Sequence, residues 1–179
     1  TEIIKLGALC ENIIAMSAKA LLEGDESLAA EVTELSGKIE RKERDIEEMC
    51  LRLLLQQQPV AGDLRVISSA LKMVTDMERI GHQSADIADI LTSAHISPPD
   101  ASLPIHDMAQ AAIKMVTGSV DAFVKKDVAA AREVISYDDV VDAGFDRVKN
   151  ALIEMFSKPE TNGEYAIDLL MIAKYFERI

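Results

Sequence analysis

Residues 60–90, VAGDLRVISSALKMVTDMERIGHQSADIADI, constrain the fold more than any other stretch of this chain. Ile67, Leu71, Val74, Glu78, Gly81, Ala85 and Ala88 follow one another at alternating spacings of four and three. That spacing draws a heptad seam along a long helix. Every position in the seam is apolar or small except Glu78. A carboxylate in a seam that faces a helix-bundle core is costly unless a cation meets it. His82 lies one turn beyond Glu78 and Asp86 one turn beyond His82, so the acid opens a stripe of candidate metal ligands.

The stretch occurs twice. A shift of 99 lays Asp63–Ile80 on Asn162–Ile179, with Glu78 on Glu177, and both copies close on Glu-Arg-Ile. The second seam reads Ala166, Leu170, Ala173, Glu177. A shift of 102 aligns the preceding helices, Asp25 with Asp127, Ser36 with Asp138 and Glu40 with Asp142. The change of three in offset predicts a shorter second helix or a tighter turn in copy two.

Helices are expected over 2–22, 27–57, 61–93, 104–124 and 128–156, with a sixth starting near Glu164. Gly24-Asp25 and Pro59 break the first hairpins, and 158–163 forms a break like 58–62. The seam of the second helix is read as Leu28, Val32, Leu35, Ile39, Ile46, Met49 and Leu53, interrupted only by Lys42. No strand alternation is visible. The fold class is therefore all-α, two pseudo-symmetric antiparallel three-helix bundles. Residues 1–96 form the first, 97–103 a Pro-rich linker, and 104–179 the second, whose last helix reads as incomplete. The chain opens on Thr1 rather than Met, which suggests a missing N-terminus.

Thirty-one acidic against nineteen basic residues give a formal charge of −12. That balance disfavours nucleic acid and anionic lipid as partners, and suits cations or a basic protein surface. No apolar run approaches the ~18 residues that a membrane span needs. Cys10 and Cys50 lack ligand spacing and read as core thiols in a reducing compartment.

Asp138 and Asp142 are one turn apart on one helix face, and Glu177 comes from the facing helix. Copy one offers Ser36 and Glu40 against Glu78 and His82. Two adjacent helices that each present such a pair can surround a hard or borderline cation. Glu43, Glu47, Asp86, Asp139 and Asp146 stand nearby as supporting acids. Arg79 and Arg178 are the alternative partners for Glu78 and Glu177. The Glu-to-His spacing of four, not three, disfavours a di-iron carboxylate enzyme. No phosphate-binding glycine loop, HExxH or GxSxG is present.

LLLQQQPVAGDLRVISSALKMVTDMERIGHQSADIADI resembles the third helix of the PhoU family of bacterial phosphate-uptake regulators, with its QxPxAxDLR start and ERIGD close. YFERI resembles the family's second ERIGD helix, and Asp138-Asp139-Val-Val-Asp142 its paired-aspartate motif. The resemblance covers essentially the whole chain. It implies a non-enzymatic, cytoplasmic adaptor at the inner face of the membrane, often a homodimer. Such an adaptor represses the phosphate-starvation response by linking the ATPase subunit of a phosphate ABC transporter to a phosphate-sensing histidine kinase. It also implies iron or zinc clusters, held here by Glu40, Glu78 and His82 in copy one and by Asp138, Asp142 and Glu177 in copy two. Ser36 replaces one family acid and His82 the aspartate of ERIGD, so site one is expected to be weaker or more zinc-like. The alternatives from other classes are a metal store or metal-dependent enzyme on a helical bundle, and a structural dimerisation module.

Overall fold

The computed structural model describes residues 2–57, 59–159 and 162–179. Thr1, Gln58, Glu160 and Thr161, with parts of the breaks expected at 58–62 and 158–163, lie outside them. The described residues form six helices: α1 (Glu2–Glu23), α2 (Glu26–Gln57), α3 (Ala61–Ser93), α4 (Ile105–Lys125), α5 (Val128–Phe156) and α6 (Gly163–Arg178). The chain is all-α, as its periodicity predicts. α2 has 32 residues and α5 has 29, which is the three-residue difference foreseen from the two offsets.

The two hairpin turns use related chemistry. Gly24 takes a left-handed φ of 66° after α1, and the Leu28 N–H donates to Asp25 Oδ1 at 3.0 Å. The equivalent turn has Lys126 at φ 55°, and the Ala130 N–H donates to Asp127 Oδ1 at 3.0 Å. In each, an aspartate side chain satisfies a backbone donor that the first helical turn leaves free.

α1, α2 and α3 pack against one another, as do α4, α5 and α6. The bundles meet where α1 lies on α4 and α3 on α6, and the buried side chains form one continuous core. Gly7 makes the first of these contacts possible, because a Cβ there would sit 2.9 Å from Val120 Cγ2. Within 97–103, Pro99 and Leu103 are buried.

The expected seam needs correction. The buried row of α3 runs Ala70, Val74, Met77, Gly81, Ser84, Ala88, Leu91. It shares Val74, Gly81 and Ala88 with the expected row but passes one residue to the side of Glu78. The same slots are buried in α6: Leu169, Ala173 and Phe176. Glu78 and Glu177 therefore flank the seam instead of facing the core. Two rows one residue apart were both compatible with the period. Burying the small hydroxyl of Ser84 is far less costly than burying a carboxylate. In α2 the same displacement leaves Met49 exposed and puts Cys50 inside. Both cysteines are buried and free.

Candidate functional site: two acidic ridges

The flanking acids gather along two ridges, one in each bundle. On the first, Glu40, Glu43 and Glu47 stand at spacings of three and four on α2, beside Glu78 of α3. Burial, then the charges of Glu47 and Glu78, push the Glu43 carboxyl above its ordinary range. Arg44 opposes this and Glu40 adds to it. Carboxylates from two helices thus feel one another. Glu40 is drawn to Arg44, one turn on. Glu78 Oε1 lies 3.7 Å from His82 Nε2, too long for a hydrogen bond. The His82 side chain is 53% exposed, so it is not a core histidine. Asp86 follows it, its carboxyl raised by burial and by Asp89 and lowered by His82.

On the second ridge, Asp138 and Asp142 of α5 face Glu177 of α6. Burial raises the Asp138 carboxyl most, followed by the charges of Asp142, Glu177 and Asp139. Lys174 Nζ lies 2.5 Å from Glu177 Oε2, while that buried oxygen lacks a hydrogen bond of good geometry. The distance makes this a charge contact. The arginines considered for this role are placed otherwise: Arg79 lies 3.4 Å from Asp76, and Lys174, not Arg178, reaches Glu177.

Each expected set is thus brought to one ridge, Glu40, Glu78 and His82 in copy one and Asp138, Asp142 and Glu177 in copy two. Within a ridge the side chains stand apart. Among the described residues, no three His, Cys, Asp or Glu side chains converge closely enough to hold a metal ion. The ridges concentrate negative charge and hard oxygen donors, which draw cations, without forming a closed chelate as the side chains stand.

Two residues matter more than the sequence pattern suggested. Glu43 is more central than Glu40, and the signal for it was its place one heptad after Ser36. Lys174 was missed altogether, although it sits one turn before Glu177. The ridges also differ. At a shift of 102, Glu43 and Glu47 become Phe145 and Lys149. Lys174 Nζ then lies 4.9 Å from the centroid of the Phe145 ring, and Lys149 Nζ 5.8 Å from it. The second ridge carries its own cations where the first carries further acids.

A family model described as the PhoU domain matches residues 3–91 and again 105–179. The chain belongs to the PhoU family. It is 32% identical over 181 residues to a "Phosphate-specific transport system accessory protein PhoU homolog" of Clostridium acetobutylicum, covering all of this chain and 83% of that protein. A protein of the same description from Aquifex aeolicus is 32% identical over 178 residues, covering 99% of this chain and 80% of its own length. The crystal structure of PhoU from Pseudomonas aeruginosa superposes with a TM-score of 0.90 at 29% identity, over 99% of this chain and 86% of that one. PhoU from Streptococcus pneumoniae, at 22% identity and a TM-score of 0.89, shares the fold. Both PhoU repeats thus lie within the six helices. Among the described residues, no helix is long and apolar enough to cross a membrane.

Proposed function

We propose that this chain is an accessory and regulatory component of a phosphate-specific transport system. The observation that carries this reading is the family match across both repeats, with relatives of that description aligned over the whole chain at 32% identity. In the finer form of the proposal, the chain docks on the ATPase subunit of a phosphate ABC transporter and on a phosphate-sensing histidine kinase. It works as a homodimer at the cytoplasmic face of the membrane and restrains the phosphate-starvation response. It acts by docking and not by turnover.

The acidic ridges supply the second part of the proposal, an iron or zinc site in each bundle. What supports it is the mutual repulsion of carboxylates from paired helices, which a bound cation relieves. Glu43 and Glu78 with His82 would hold it in the first bundle, and Asp138, Asp142 and Glu177 in the second. The imidazole favours zinc or iron over calcium or magnesium.

Deleting the gene in its host should raise phosphatase output in phosphate-rich medium, and affinity capture should recover the transporter ATPase or the kinase. Unchanged phosphatase output would overturn the regulatory reading. Elemental analysis of Glu78→Ala and Glu177→Ala protein should show unequal metal loss, and equal loss would remove the asymmetry between the sites.

A further inference from the structure

The two ridges answer similarly buried carboxylates in different ways. Glu78 and Glu177 occupy the same slot of the repeat, and their side chains are 26% and 20% exposed. Among the described residues, Glu43, Glu47 and Glu78 form no ion pair with lysine or arginine, and the exposed Arg44 pairs with Glu40. Glu177 instead meets Lys174, whose Nζ lies 2.5 Å from its Oε2.

Two exchanges between the repeats produce this difference, and they face one another across the ridge. At a shift of 99, Lys174 of α6 stands where copy one has Thr75, whose hydroxyl donates back to the Leu71 carbonyl at 3.1 Å. At a shift of 102, Phe145 of α5 stands where copy one has Glu43. Lys174 Nζ is 4.9 Å from the centroid of the Phe145 ring, within reach of its π face. A lysine paired only with an acid of its own helix surface is loosely held. This one is held from both helices, by a carboxylate of α6 and an aromatic ring of α5. Copy one keeps an acid at the facing position and leaves the positive charge to come from outside. Copy two exchanges that acid for a ring and carries the positive charge on its own chain.

A metal ion fits the remaining donors. Asp138, Asp142 and Glu177 offer hard oxygens from two helices, and Glu177 Oε2 is buried without a hydrogen bond. An ion on that oxygen would stand beside the Lys174 ammonium, and two cations at such range repel. We infer that Lys174 is the built-in counter-ion of the second ridge, and that a metal ion enters that ridge only by displacing it. The inference rests on the metal reading proposed above and adds an order of filling to it, the first ridge before the second. That order is the reverse of the one that Ser36 and His82 alone would give. Lys174 acts on the ion through Glu177, so it is a positioning residue and not a ligand.

The test is a titration of the whole chain with zinc alone, followed by calorimetry. The parent should take up one zinc ion per chain, and a second about tenfold more weakly. Lys174→Met should tighten the second event about tenfold and leave the first unchanged. Lys174→Gln should do the same, which guards against a folding defect peculiar to one variant. Lys174→Arg keeps the charge and stacks on a ring as well, so its second event should stay weak. Glu177→Gln added to Lys174→Met should abolish the gain, which places it on the second ridge. Thr75→Lys should weaken the first event. Two equally tight events in the parent, or a gain below about threefold in both Lys174→Met and Lys174→Gln, overturn the inference and leave the metal reading standing. A gain of the same size in Lys174→Arg also overturns it, because charge would then not be the cause. Absence of zinc uptake by the parent and by every variant overturns the metal reading itself, and the inference with it.

Discussion

Gly7 and Glu2 show how much single residues decide here. Gly7 lets α1 approach α4, and the side chain that a substitution would strike is Val120. Val120 is buried, and β-branched residues in helices have almost one rotamer, so it cannot swing aside. Gly7→Val should lose about 2 kcal/mol of stability, read as a lower urea midpoint with an unchanged slope. Glu2 acts through charge. Hydrogen bonds from Lys42 on α2 and Lys5 on its own helix lower its carboxyl from 4.5 to about 2. A carboxyl lowered in the folded state stabilises fully above its unfolded value and loses that contribution as pH falls through its folded one. Glu2→Gln should therefore melt below the parent at pH 7, and the gap should close between about pH 4.5 and pH 2. A gap that stays constant with pH would assign the effect to packing.

At the scale of the helix, the paired turns carry the clearest consequence. Gly24 and Lys126 occupy equivalent left-handed positions after α1 and α4. Glycine holds that conformation without strain, whereas a residue with a Cβ pays about 1 kcal/mol. Lys126→Gly should raise stability by about 1 kcal/mol, seen as a rise of about 2–4 °C in Tm. Helix extents were legible to within a residue because Gly24, Pro59, Asp127 and Asn162 punctuate them chemically. The buried face was less legible. In α3 the rows through Glu78 and through Met77 fit the heptad equally, and only packing against α1 and α2 selects between them.

The whole molecule behaves as one unit because the α1–α4 and α3–α6 contacts join the bundles into a single core. Unfolding either half would expose apolar surface on the other. The chain should therefore unfold in urea as one transition. All three tyrosines, Tyr137, Tyr165 and Tyr175, lie in the second bundle, and there is no tryptophan. Tyrosine fluorescence thus reports that bundle alone, while far-UV circular dichroism reports both. The two curves should coincide, and a separate tyrosine midpoint would show the bundles melting independently.

The order of elements, the repeat, the shorter middle helix of copy two and the placing of acids on paired helices followed from the sequence by itself. Each rests on local chemistry, in that periodicity, caps and breakers act within a few residues of one another. Tertiary structure alone decided which of two adjacent rows is buried, that Glu43 stands among the acids of α2 and α3, and that Lys174 reaches Glu177. Those outcomes depend on the rotation of each helix about its axis. That rotation is set by the combined burial and desolvation energies of several neighbouring helices, which no single stretch of sequence contains.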